Sequence, residues 1–211
     1  MDAKLLAVSL ALTALVSACA KPEGVFHNCS LKGEPGDARE KKLNLLKNRY
    51  QAPGPQDFDT RVSLAAMLAP GPDRQRWDES RAATITGYVH DVFYGGVEST
   101  NCFSRDPRYR DTHIELVPGP GQDGPAQRVI VEVTPRWRAV MLDRNRDWTT
   151  EILRMTIKGK WVKVSGWLMY DLGHEREAEN DNPGGKENWR ATNWEIHPVT
   201  DIAVLDGPPK Q

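Results

Sequence analysis

The chain's strongest constraint is an order: strand, strand, strand, helix, strand, strand, with a glycine at the centre of the first strand. Residues 83–92 (ATITGYVHDV) alternate between apolar and polar positions, and Gly87 suits a bulge or strong bend. Thr112–Val117 and Arg128–Val133 follow, separated by a Gly/Pro turn region from Pro118 to Pro125. Thr134 to Lys158 reads as a helical interlude, best formed around Thr149–Ile157. Trp161–Asp171 is a long strand with Gly166 at its middle, and Thr192–Val204 is a last strand interrupted near Pro198. The order predicts a mainly β fold, a five-stranded OB-like Greek-key barrel with one inserted helix over residues 81–205. Periodicity alone also admits other small barrels or a sandwich.

A helical arm, residues 39–80, precedes the barrel region. REKKLNLLKNRY (39–50) carries Leu43, Leu45, Leu46 and Tyr50 near helical spacing and must end at Pro53-Gly54-Pro55. Asp59 or Thr60 is placed to cap a second helix through Ala69, stopped by Pro70-Gly71-Pro72. Both helices are expected outside the barrel; a third reading, a pure assembly partner, predicts association through the Leu43/Leu46 face. Residues 19–38, rich in Gly, Pro and charge, read as a tether with little structure, and 206–211 as a disordered tail.

The first residues carry an address. Lys4 is followed by an uncharged, mainly apolar run from Leu5 to Val16, too short to span a bilayer, and then by Val16-Ser17-Ala18-Cys19. Residues 1–18 therefore read as a signal peptide. The small pair before Cys19 resembles a bacterial lipobox, which implies that Cys19 becomes the lipidated, palmitate-bearing first residue of the mature protein. Ala20 resembles the outer-membrane sorting position of such lipoproteins. Cys29 and Cys102 then remain as a candidate disulfide, suited to an oxidising compartment. On a chain-entropy basis such a bond contributes about 4 kcal/mol.

Charge narrows the partners. The formal net charge is −1, and residues 82–205 hold 15 Lys and Arg against 18 Asp and Glu. A nucleic-acid groove needs a basic stripe, whereas the loop after the fourth strand carries Glu175, Glu177, Glu179 and Asp181. Nucleic acid is thus a poor partner; the membrane, through the lipid, and a small-molecule or protein ligand are the expected ones. No nucleophile elbow, phosphate-binding loop, CxxC or dinucleotide fingerprint is present.

Four blocks occur in order: DTHIEL (111–116), VIVEVTPR (129–136), VKVSGWLMYDLGH (162–174) and WRATNWEIHPVTDI (189–202). Together they resemble an uncharacterised family of exported bacterial OB-fold-like proteins, with Asp-x-His early and Glu-Ile-His-Pro-Val at the close. The resemblance covers roughly residues 82–204. It implies a fold and carries no activity.

Residues two apart on a strand share a face. Asp111 and His113 therefore point one way, as do Glu195 and His197, with apolar neighbours on the opposite face. Both pairs are expected outside the barrel core, on the wetter side. His174 follows Asp171 closely. Two arrangements fit. One is a mononuclear site for zinc, iron or manganese using His113, His174 and His197, with the carboxylates as ligands or orienters. The other is a structural network tying loops to strands. Glu132 lies on an otherwise apolar strand; if buried it needs a partner, for which Arg136 and Arg190 are at hand, and otherwise its face is solvated.

On an OB fold, ligands meet the second and third strands and two flanking loops. That places Asp111, His113, Glu132, Arg136, His174, Trp189, Arg190, Glu195 and His197 in one ligand-binding neighbourhood. Arg105, Arg108 and Arg110 add a basic, aromatic rim suited to phosphate or sugar acids, or simply a solubilising loop. The expected function is a cell-envelope lipoprotein acting as a binding or structural module. The alternative is a metal-dependent, nuclease-like hydrolase built from the same residues.

Overall fold

The computed structural model describes residues 26–209. The signal segment, Cys19 and the start of the tether lie outside the described residues, as do the last two residues of the tail. Among the described residues no helix is long and apolar enough to cross a membrane.

Five strands form the barrel: β1 (Ala82–Tyr94), β2 (Thr112–Val117), β3 (Val129–Val133), β4 (Trp161–Tyr170) and β5 (Trp194–Leu205). They close in the order β1-β2-β3-β5-β4, returning to β1. Every contact is antiparallel except β3 with β5, which run parallel with Val131 opposite Ile196. This closure is the OB topology.

Between β3 and β4 stand two helices, α3 (Pro135–Asp143) and α4 (Thr150–Ile157), rather than the single one expected. Pro135 breaks a helix from within, but here it occupies the first turn, and Thr134 caps it by accepting the Trp137 N–H at 3.3 Å. In the arm, α1 (Ala38–Lys47) is capped by Asp37, which accepts the Glu40 N–H at 2.8 Å. The next helix, α2 (Leu64–Leu68), is capped by Ser63 instead of Asp59 or Thr60. The Asp59 carboxylate is already taken by the Arg61 guanidinium, at 2.9 and 2.6 Å.

The inward faces of all five strands make one core, which Trp137 and Met141 of α3, Leu153 and Ile157 of α4, and Leu64 and Met67 of α2 complete. Gly87 serves packing rather than a bulge. A Cβ there would lie 3.0 Å from Leu64 Cδ2 and 3.2 Å from Leu116 Cβ, so glycine lets α2 close on the barrel. The β1–β2 irregularity falls between Val89 and Asp91. Gly166 does mark a register shift, against β5, where a Cβ would meet Val199 Cα at 2.9 Å.

The arm lies across the outer face of the barrel, and it docks by its polar side. The buried residues of α1 are Asn44 and Lys47, while Leu45 is 43 % exposed and Leu43 and Leu46 are only partly covered. From Phe26 onward the expected tether is fastened down. Cys29 is disulfide-bonded to Cys102, and Asn44 and Asn48 each donate at 3.0 Å to the backbone oxygens of Lys32 and Leu31.

Candidate functional site

The β2–β3 register sets His113 directly opposite Glu132, and the β3–β5 register brings Glu195 and His197 alongside. These side chains alternate with the core residues Ile114, Val131, Trp194 and Ile196, so they project from the barrel's outer face, as two-residue spacing requires. The face is not wet. His113, Glu132, Glu195 and His197 are all buried, as is Asp111 just before β2. The arm covers them: Lys47 from α1 and Glu98 from the β1–β2 loop lie over the strand residues that periodicity alone would leave in solvent.

Glu132 is the hub. Its Oε1 lies 3.0 Å from His113 Nδ1, and its Oε2 lies 3.6 Å from His197 Nδ1. Neither Arg136 nor Arg190 is its partner, contrary to expectation. Arg136 turns to the arm, donating to Asn48 Oδ1 at 3.0 Å and the Cys29 oxygen at 2.8 Å. Arg190, fully buried, donates to Glu195 Oε1 and the Thr192 oxygen, both at 2.7 Å. His197 Nδ1 is 3.3 Å from Glu195 Oε2, and its Nε2 is 3.5 Å from Asp111 Oδ2. Burial alone would lower the His197 pKa, but the carboxylates of Asp111, Glu195 and Glu132 outweigh it and push it up to about 10. The same neighbours act in reverse on the carboxylates. Burial raises the Asp111 and Glu195 pKa values, yet His197 and Arg190, respectively, hold them below the ordinary range.

A second group adjoins the first. Lys47 Nζ lies 2.7 Å from Glu98 Oε2 and 3.8 Å from Asp171 Oδ2. Against the cost of burial, Asp171 and Glu98 keep the ammonium charged well above its usual range. Asp171 Oδ2 also meets His174 Nδ1 at 3.0 Å and raises the His174 pKa. Trp189 stands between the two histidines, its ring centroid 5.6 Å from that of His113 and 5.9 Å from that of His174. Phe93 stacks on the other side of His113 at 4.4 Å.

Above these groups opens a recess of about 360 Å³, lined among others by Phe93, His113, Glu132, His174, Trp189 and Arg190. Two buried polar atoms of the cluster, His113 Nε2 and Arg190 Nη2, have neither a hydrogen bond nor an ion pair, while Asp111 Oδ2, Glu132 Oε2 and His197 Nε2 are held only by the longer charged contacts among themselves and His197 Nδ1. Natural interiors leave few such atoms. Asp111, Glu132 and His197 bring one ligand atom each to within 4.8 Å of one another, so this group could hold a metal ion. Carboxylate oxygens with one imidazole suit zinc or manganese. Of the three histidines expected as ligands, only His197 belongs to this group. His113 is one step away, oriented by Glu132, and His174 is tied to Asp171 on the recess wall.

The basic rim stays apart. Arg108 pairs with Asp106 at 2.6 Å, and Arg110 donates to the Gly95 oxygen at 2.8 Å, so neither guanidinium reaches the recess. Sequence reasoning missed Lys47, Asn48 and Glu98. The signal was Asn44-Lys47-Asn48, a polar stripe at i, i+3, i+4, which the leucines on the same helix overshadowed.

No known family model matches the chain, and no curated protein matches it in sequence. Among solved structures it is similar to Rim1, a mitochondrial single-stranded DNA-binding protein of S. cerevisiae. That similarity has 13 % identity and a TM-score of 0.31, over 62 % of this chain and 99 % of that one. It is also similar to the asparaginyl-tRNA synthetase of Entamoeba histolytica, with 13 % identity and a TM-score of 0.34, over 67 % of this chain. This chain spans 24 % of that enzyme. At such similarity neither speaks to ligand or activity; the OB architecture rests on the strand order and closure above.

Proposed function

We propose that this protein is a lipid-anchored cell-envelope binding module that receives a small ligand in the recess over β2 and β3. The carrying observation is the buried Asp111–Glu132–His197 group beside one recess, with His113 Nε2 and Arg190 Nη2 left without a hydrogen bond or ion pair. A purely structural network would satisfy its own atoms, since each buried group left unmatched costs about 1–3 kcal/mol. The address is supported by the lipobox at Cys19 with Ala20 behind it, by the resemblance to exported proteins, and by a disulfide that suits an oxidising compartment. Outer-membrane anchoring, with the barrel in the periplasm or at the surface, is the form of this reading.

The test uses the full chain carrying Cys19→Ser, titrated by calorimetry with zinc, manganese, small organic ligands and a single-stranded dT oligomer. Saturable one-to-one binding of a metal or small ligand, weakened tenfold or more by His113→Phe or His197→Gln, is the expected result. Binding only of the oligomer, or binding indifferent to both substitutions, contradicts the reading.

A metal-dependent hydrolase is the second reading, favoured by one observation. Glu132 holds His113 through Nδ1, which leaves the buried Nε2 without a hydrogen bond close to the Asp111–Glu132–His197 group. A bound divalent ion would acidify water there. Arg190 Nη2, left without an acceptor, would meet developing negative charge. Stoichiometric zinc with hydrolysis of bis(p-nitrophenyl) phosphate that His113→Gln abolishes would favour the enzyme. Zinc bound without turnover would favour the binding module.

A further inference from the structure

We infer that the Cys29–Cys102 disulfide is a reducible clasp: a dithiol opens it by exchange at Cys102, and the opening loosens Glu98, which borders the recess. The inference stands on the arm and the β1–β2 loop and does not depend on what the recess binds.

Backbone strain gathers around this one bond. Among the described residues six other than glycine have positive φ, and four of them lie at its two ends. His27 (φ 48°) and Asn28 (φ 62°) precede Cys29, while Cys102 and Phe103 (both φ 51°) form the other side. Asparagine takes the left-handed backbone readily, whereas His27, Cys102 and Phe103 adopt it at a cost. Such conformations persist only where the surroundings impose them. At the first end, Phe26 and Cys29 exchange two backbone hydrogen bonds of 2.9 Å. At the second, the Cys102 N–H donates to the Ser99 oxygen at 3.0 Å and the Phe103 N–H to the Glu98 oxygen at 2.9 Å. Strained or accessible disulfides are the ones that exchange.

The bond can be reached. It borders a cleft of about 200 Å³ lined by both cysteines, His27, Tyr109 and Arg136. Cys29 is buried and Cys102 only half-buried, so an incoming thiolate meets Cys102 Sγ. A new S–S bond forms there as the Cys29–Cys102 bond breaks, and the electron pair leaves on Cys29 Sγ. Arg136 donates to the Cys29 carbonyl oxygen at 2.8 Å, so the departing thiolate forms close to a positive charge. The second thiolate of the dithiol then attacks its partner sulfur in the mixed disulfide and releases the Cys102 thiolate. The dithiol ends as a disulfide, its two electrons pass to the protein, and its two protons go to the cysteine sulfurs.

The same geometry links the bond to the recess. Leaving the left-handed region swings the Phe103 N–H away from the Glu98 oxygen, which undoes the turn that holds Glu98 in place. Glu98 lines the recess and pairs with Lys47 at 2.7 Å. Between Glu98 and Cys102 the loop stays fastened to α1, because Asn44 Nδ2 donates to Ser99 Oγ at 3.1 Å and Asn48 Nδ2 to the Thr100 oxygen at 2.9 Å. The opened loop therefore pivots about these contacts, over a barrel that keeps its own core.

The experiment equilibrates the full chain carrying Cys19→Ser with mixtures of reduced and oxidised dithiothreitol, read by alkylation and mass spectrometry. His27→Asn and Phe103→Asn ease the left-handed backbone. Each is expected to need at least a fivefold higher ratio of reduced to oxidised dithiothreitol for half-reduction. With glutathione in place of the dithiol, the trapped mixed disulfide is expected on Cys102. Amide exchange in the reduced protein is expected at least tenfold faster in residues 98–103, with β2 and β3 unchanged. Variants reduced at or below the wild-type ratio, glutathione on Cys29, or loop exchange indifferent to reduction overturn the inference. So does a barrel that unfolds on reduction, which would make the bond a structural staple. Should one variant fail to fold, the other and the wild-type exchange measurement decide.

Discussion

His113 and Glu132 face each other across β2 and β3, with Nδ1 3.0 Å from Oε1, in a layer that neither the barrel core nor the solvent owns. The outer face of an OB barrel is ordinarily its contact surface. Here the arm roofs it, so the charged groups meet one another at reduced dielectric while one side stays open as the recess.

Glu132 touches both histidines, so its loss is the most damaging change in the cluster. Glu132→Ala is expected to cost about 3–5 kcal/mol, the usual cost of stripping a partner from a buried charge. Glu132→Gln, which keeps the shape, is expected to cost about 1–3 kcal/mol. Urea unfolding followed by tryptophan fluorescence measures both, and equal stability of the alanine variant and the wild type would contradict the hub role.

Lys47 is the arm's deepest insertion. Lys47→Met should destabilise by about 3–5 kcal/mol, because Glu98 and Asp171 are left facing an apolar side chain. The double variant Lys47→Met/Glu98→Gln should regain part of that loss. A double-mutant cycle with zero coupling would show that the pair does not act together.

Much of the fold was legible and part of the site was not, for a physical reason in each case. Alternation and strand order sufficed for the barrel, because each strand's inward residues are apolar, even where β3 and β4 also carry apolar residues such as Ile130 and Met169 on the outer face. The pairs Asp111/His113 and Glu195/His197 could be placed outside the core from two-residue spacing, whereas the facing of Glu132 stayed open until the register set it opposite His113. Their burial could not, since it depends on which side of α1 docks. Leu43 and Leu46 suggested an apolar contact, while the helix buries Asn44 and Lys47. The partner of Glu132 was misjudged because Arg136 is near in sequence but sits on α3, aimed at the arm. Two helices replaced one because Pro135 starts a helix as readily as it interrupts one.

The disulfide should fasten the roof. Cys29 and Cys102 are separated by 73 positions, which implies up to about 4 kcal/mol of stabilisation. Beyond the lower melting temperature of Cys29→Ser/Cys102→Ser, faster amide exchange is expected in residues 38–48 than in β1 or β4. Uniform change across the chain would mean that the bond does not act through the arm.

The His174–Asp171 pair makes stability depend on pH in two directions. Asp171 raises the His174 pKa, so that contribution is complete below about pH 6.5 and is lost as pH rises through the folded value. Asp171 is buried, which alone would raise its pKa, but Lys47 and His174 hold it well below the usual range. Its contribution is present above about pH 4 and is lost as pH falls through its folded value. NMR titration should give His174 a pKa above 6.5 that moves down in Asp171→Asn. An unchanged value would contradict the pairing.

The central claim is that ligands enter the recess and meet its His113 wall. Its most direct measurement is an imidazole nitrogen NMR titration of the full chain carrying Cys19→Ser with zinc chloride. The predicted result is a saturable shift of His113 Nε2, with His90, which faces Glu115 and Asp123 outside the recess, unmoved. A His113 signal that stays fixed while zinc is shown to bind elsewhere would contradict the account.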